Sequence, residues 1–168
     1  CEAIAASVGW NEVLYRTCRD IPLKGPNDLV FDAHGGIYFT DLGKRRARDM
    51  DVGAIYYAKA DGSFITEVAH PMMTPNGIGL SPDGNTLYVA ETEAARLWAF
   101  PIEAPGVVQK EPWPSPHGGR LVAGMGGYQR FDSLAVQADG RICVATLVNG
   151  GITVISPDGR HVEHHPFP

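Results

Sequence analysis

The sequence predicts an all-β fold containing about three four-stranded blades of the kind that build a propeller. Three observations carry this expectation. First, one plan recurs three times: a polar residue, a short apolar strand, a glycine turn, and a second strand closed by a polar residue. The copies run Asn27–Asp41, Asn76–Glu91 and Asp132–Thr146, with a glycine eight positions after each leading residue (Gly35, Gly84, Gly140). The leading residues are 49 and 56 positions apart, near the length of one four-stranded blade. Second, turn pairs such as Asp83-Gly84 suit the φ > 0 geometry of a tight hairpin. Third, the 168 residues include 20 Gly and 13 Pro, and no stretch repeats at 3.6 residues, so almost no helix is expected.

Taken in order, residues 1–23 offer one strand, Glu12–Tyr15, before the break at Asp20-Ile21-Pro22. The first inner hairpin covers 27–41. A charged loop follows over Gly43–Asp51, carrying Lys44, Arg45, Arg46, Arg48 and Asp49. Strands at Gly53–Ala58 and Phe64–Val68, joined by Asp61-Gly62, complete the first blade. The plan restarts at Asn76, and Arg96–Phe100 opens the outer hairpin. A Pro/Gly-rich connection, Glu111–Gly119, lengthens this blade and accounts for the longer interval. The third copy starts at Asp132 and adds Gly151–Ser156, with a turn at Asp158-Gly159.

The whole of 1–168 reads as a single domain, and as part of a propeller. Three blades do not close a ring, because closure takes four to eight. Either the chain belongs to a longer protein or a second copy completes the ring as a homodimer. Its opening on Cys1 rather than Met fits a processed or incomplete chain. A net charge of −5, with no basic stripe interleaved with aromatics, argues against nucleic acid. No apolar run approaches membrane-spanning length and no signal-type leader opens the chain. Cysteines at 1, 18 and 143 form neither a metal-type pair nor an even disulfide set, which makes a reducing, cytoplasmic setting the expectation.

In each inner hairpin the leading and closing residues lie at the same end, opposite the turn. A propeller would ring Asn27, Asp41, Asn76, Glu91, Asp132 and Thr146 around one funnel. Their oxygens are hard donors suited to Ca²⁺ or Mg²⁺, and no His/Cys set competes for a softer metal. A structural reading stands beside this one: Asn-Gly is a common turn pair, and Asn, Asp and Thr tie strand ends through local bonds. Other groups weigh less. The His161, His164 and His165 cluster reads as a solvated tail. Arg45, Arg46 and Arg48 read as a solvated loop, one of which could reach over the funnel to an anionic substrate. Asp49 and Asp51 lack the glycine and distal Glu of an EF-hand loop. Cys143 reads as a small core residue, and Ser133 has neither a nucleophile elbow nor a His partner.

On these residues the chain resembles the gluconolactonase / regucalcin (senescence marker protein) family of six-bladed propellers. The resemblance rests on Gly25–Asp32 with Tyr38–Asp41, on Pro75–Gly84 with Leu87–Thr92, and on Phe131–Val136 with Val144–Thr153. It covers the chain from about Asn11 onward and about half of a family member. It implies one divalent metal, held by a first-blade Glu, an Asn matching Asn76 and an Asp matching Asp132. The latter would also be the general acid/base, and Asn27 would contact substrate. Asp41 and Glu91, on the same funnel, are expected to bind substrate too. Two departures stand out: the Glu has no counterpart, since Glu2 and Glu12 lie in the wrong context, and the family's substrate Arg is replaced by Gly25. The expected activity is metal-dependent hydrolysis of a sugar lactone or similar cyclic ester. Ca²⁺ is the leading cofactor, with Zn²⁺, Mg²⁺ or Mn²⁺ as alternatives. A non-catalytic calcium- or partner-binding propeller, or an inactive fragment, is the rival.

Overall fold

The computed structural model describes residues 13–167, and among them every regular element is a β-strand. A short hairpin of β1 (Thr17–Cys18) and β2 (Ile21–Pro22) leads in. Three antiparallel sheets follow, one per sequence repeat. The first runs β3 (Pro26–Phe31), β4 (Gly36–Asp41), β5 (Gly53–Lys59) and β6 (Ile65–Met72) in chain order. The second has β7 (Pro75–Leu80), β8 (Thr86–Glu91) and β9 (Arg96–Ala104), with β10 (Val107–Val108) and β11 (Arg120–Gly124) both paired to β9. The third runs β12 (Phe131–Val136), β13 (Ile142–Thr146), β14 (Gly151–Ile155) and β15 (Val162–Pro166). Turn glycines Gly35, Gly84 and Gly140 have φ of 72°, 73° and 87°, the left-handed region that other residues avoid.

Strand periodicity decides how the sheets stack. In β8, Leu87 and Val89 face the first sheet, where they join Tyr38, Ile55, Tyr57 and Met72. Tyr88 and Ala90, one residue out of step, face the third sheet and join Phe131, Ile142 and Val144. Both faces of the second sheet are therefore buried, which is why β8 reads as an unbroken apolar run. The outer face of the first sheet is covered by the chain's own lead-in: Tyr15, Cys18 and Leu23 pack on Phe39, Ala54 and Tyr56. On β13 the matching face, with Cys143 and Ala145, stays half exposed. Cys143 therefore lies outside the core, because its neighbours Ile142 and Val144 take the packed side.

The first strands of the three sheets run side by side, β7 between β3 and β12. Gly77 makes the close approach possible. A Cβ there would lie 2.4 Å from Leu134 N and 2.6 Å from Asp132 O. The Asn76-Gly77 pair is thus mid-strand, and its glycine admits a neighbouring backbone rather than forming a turn.

One expectation needs correcting and another refining. Residues 13–15 are not a strand, and Glu12 falls outside the described residues. Tyr15 instead donates its hydroxyl to Lys59 O (2.6 Å) and Phe64 O (2.9 Å), across the end of the first sheet. The histidine-rich tail is solvent-exposed except at half-buried His164, as expected, but it is not an unpaired appendage. Val162–Pro166 forms β15, pairing Thr153 with His164, whose Nδ1 lies 3.2 Å from Thr153 Oγ1.

The Pro/Gly-rich connection contributes His117, buried at 6% exposure against Trp98 and Phe100. Its Nδ1 accepts the Gly119 N–H at 3.2 Å. Burial, with Lys110 adding repulsion, lowers its pKa from 6.5 to about 4. The folded state therefore binds fewer protons than the unfolded chain between those values, so stability falls as pH drops through them. The loss is about 3 kcal/mol. Urea unfolding at pH 7 and at pH 4 should show this slope in the wild type and a shallower one in His117→Gln.

Candidate functional site

Each inner strand carries the same irregularity. Register shifts by one residue between Pro26 and Leu29, between Pro75 and Ile78, and between Phe131 and Leu134. Two residues of the inner strand therefore face one of its partner, a β-bulge at Asn27-Asp28, Asn76-Gly77 and Asp132-Ser133. Bulges re-aim side chains. Here they part the leading residues from the closing ones, which a plain hairpin would have kept together.

The three leading residues, Asn27, Asn76 and Asp132, line one cavity of about 230 Å³. Asp41, Glu91 and Thr146 do not reach it. Asp41 is buried and accepts N–H bonds from Lys24 (2.7 Å), Gly25 (2.7 Å) and Gly43 (2.9 Å). Glu91 accepts the Met73 N–H (2.6 Å) and Trp98 Nε1–H (2.8 Å), and burial raises its carboxyl pKa in spite of them. Both carboxylates thus anchor the chain entering the inner strand, just ahead of Asn27 and Asn76. In the third sheet Gln129 does the same work: its Oε1 accepts Arg130 N–H and Val148 N–H, each at 2.9 Å. Thr146 is bonded to Thr153 instead.

Asn76 is the best-held of the three. It is 7% exposed. Its main-chain carbonyl accepts the Thr40 hydroxyl at 2.7 Å, and its Nδ2 donates to Thr92 Oγ1 at 3.2 Å. Its Oδ1 is buried with no partner. A buried amide oxygen without a donor carries a desolvation cost unless something supplies positive charge. Asp132 is half-buried and makes no side-chain hydrogen bond among the described residues. Asp28, its neighbour in type, is engaged by Leu29 N–H (2.8 Å) and Ile78 N–H (3.3 Å). Sequence reasoning did not single out Thr40, Thr74 or Thr92. Thr74 lies on the cavity wall with φ of 53°, a left-handed non-glycine residue beside the site.

Residues 4–168 match the family described as the SMP-30/gluconolactonase/LRE-like region. The chain belongs to this family. It is 32% identical over 133 residues to lactonase drp35 of Staphylococcus aureus (strain USA300), covering 79% of this chain and 39% of that protein. Among solved structures it resembles a gluconolactonase from Xanthomonas campestris, with a TM-score of 0.74 and 26% identity over 98% of this chain and 54% of that one. It also resembles a calcium-binding protein, regucalcin, from Agrobacterium tumefaciens, with a TM-score of 0.69 and 26% identity over 85% of this chain and 45% of that one. The chain thus spans about half the length of these SMP-30/gluconolactonase relatives, or less.

The residues present fit a hard divalent cation. Asn76 Oδ1 is an unsatisfied acceptor, and Asp132 on the same cavity is a carboxylate without a hydrogen-bond donor; both are oxygen ligands of the class Ca²⁺ and Mg²⁺ prefer. Among the described residues no three His, Cys, Asp or Glu side chains cluster, so a cation held here by Asn76 and Asp132 would need further ligands.

Proposed function

We propose that this chain forms three blades of a six-bladed propeller that hydrolyses a sugar lactone or similar cyclic ester with the help of one divalent metal. The orphaned Asn76 Oδ1, beside Asp132 on the one cavity that Asn27 also lines, carries the reading. The family, the lactonase and gluconolactonase relatives and the three stacked sheets support it. Asn76 Oδ1 and an Asp132 oxygen would hold the cation, with Ca²⁺ first among the choices. Bound there, the cation would polarise the lactone carbonyl and acidify a water. Asp132 would take the proton from the attacking water as its oxygen bonds to the carbonyl carbon. It would then return that proton to the ring oxygen as the ring C–O bond breaks, leaving a hydroxy acid. Asn27 would hydrogen-bond substrate hydroxyls.

The deciding experiment is lactone ring-opening before and after chelation, with single divalent metals restored. Activity lost to chelator and regained with one metal supports the enzyme. Activity indifferent to chelation overturns the metal's part. Asn76→Ala should weaken metal binding about 10- to 100-fold by calorimetric titration. An unchanged isotherm removes Asn76 from the shell. One observation favours a second reading, a calcium-binding propeller without catalysis: the described residues bring one cavity-lining carboxylate near Asn76 that is free of other partners, Asp132. Stoichiometric Ca²⁺ binding without turnover of any lactone would select it.

A further inference from the structure

One wall of the cavity carries Lys44 and Arg45, although Asp51, Glu93 and Asp132 line the cavity too. Arg130 stands behind this wall, and the protein as a whole carries a net charge of −5. Lys44 and Arg45 are placed by the loop joining β4 and β5. A Cβ on Gly25 would sit 2.5 Å from Gly43 O, so the loop's start is pressed against the entry to β3. Asp51 at its far end is fully engaged, accepting Lys24 Nζ (2.8 Å) and Arg46 Nη1 and Nη2 (3.1 Å each). Arg46 is pinned further by Asp49. Of the three loop arginines, only Arg45 lines the cavity.

Arg45 has a single partner. Its Nη1 donates to Glu93 Oε1 at 2.8 Å, while Arg130 Nη2 donates to Glu93 Oε2 at 2.9 Å. One carboxylate is thus shared by two guanidiniums from the flanking repeats. Lys44 makes no ion pair through its ammonium among the described residues, and Arg130 Nε is buried without a partner. Lys44, Arg45 and Arg130 thus stand against the one carboxylate of Glu93, while the cavity's other acids are Asp51, already taken by Lys24 and Arg46, and Asp132. The Arg45 side chain is 68% exposed. An ion pair that open contributes little, so exchanging Glu93 for another carboxylate costs little. A guanidinium offers a second N–H to a carboxylate that approaches squarely.

We propose that Arg45, with Lys44 beside it and Glu93 as a displaceable internal counter-ion, reads a carboxylate on the substrate. The ligand class is a sugar lactone bearing a second, free carboxylate, or the sugar diacid formed when it opens. The proposal rests on the lactonase reading for its substrate, though the anion site can be measured without it.

The test compares a lactone bearing a free carboxylate with its uncharged counterpart, using wild type, Arg45→Gln and Glu93→Gln. Arg141→Gln, on the remote Asp139 turn, is the control. Arg45→Gln should lower kcat/KM for the charged lactone about tenfold and for the uncharged one about threefold or less. Glu93→Gln, which frees Arg45, should lower KM for the charged lactone. Equal effects of Arg45→Gln on both substrates, or none, would overturn the inference and leave the lactonase reading standing. If no lactone is opened, that reading fails, and calorimetric titration with the sugar diacid decides the anion site. Binding that Arg45→Gln weakens about tenfold upholds it; no binding, or binding indifferent to Arg45, ends it.

Discussion

Asp132→Asn is expected to reduce lactone turnover about 10³-fold while leaving the fold and its stability intact. The two halves of this expectation come from different observations. The side chain has no hydrogen-bond partner among the described residues and is only half-buried, so a near-isosteric amide removes nothing that holds β12 in place. Surface changes of that kind shift stability by about 0.5 kcal/mol or less. What the amide cannot do is accept a proton. A positioned general base contributes about 10²–10⁴-fold, and the same residue would here serve again as the acid toward the ring oxygen. Loss of a carboxylate ligand would add to the defect by weakening the cation. Ring-opening followed at fixed pH with saturating Ca²⁺ separates the two effects. A variant rescued by high metal has lost mainly a ligand, whereas one that stays slow has lost the proton acceptor. Turnover within tenfold of wild type at ordinary metal would remove Asp132 from the chemistry.

The stacked sheets were legible because their signals are local. Turn glycines at equal offsets and two-faced apolar strands such as β8 report directly on hairpins and burial. The leading residues were legible for the same reason: Asn27, Asn76 and Asp132 occupy equivalent positions, and the structure brings them to one cavity. The closing residues were not, because a one-residue bulge inverts which side chains share a direction, and a repeat alignment preserves spacing without register. Gly77, inside the apolar strand β7, was the available signal for the bulge there; the other two bulges carry no glycine. Without it, Asp41 and Glu91 looked like funnel ligands when their carboxylates hold main-chain N–H groups. Strand β15 was missed for a related reason. Val-Glu-His-His-Pro has weak strand propensity, and its pairing is set by Ile152, Thr153 and Val154 across from it. The Arg45–Glu93–Arg130 array joins residues 37 to 48 positions apart, beyond the reach of any local pattern.

Gly77→Ala should be among the most destabilising single-methyl changes available to this chain, and its effect should reach the site. The added carbon would lie 2.4 Å from Leu134 N, 2.6 Å from Asp132 O and 2.7 Å from Ser133 C. All three are main-chain atoms, so no side chain can swing aside. Relief requires β7 and β12 to separate, which loosens the second core cluster and displaces Asp132 relative to Asn76. Overpacking that must move backbone costs about 3 kcal/mol. Gly84→Ala isolates the alternative explanation, that any glycine replacement in these hairpins is costly. Gly84 has φ of 73°, but a Cβ there meets nothing within 4 Å. Its penalty is left-handed strain alone, about 1 kcal/mol. Denaturant unfolding of the two variants should therefore separate them by about 2 kcal/mol, with only Gly77→Ala also losing metal affinity. Equal penalties would mean that β7 and β12 are not held in backbone contact, and the geometry that sets Asn76 beside Asp132 would fall with that contact.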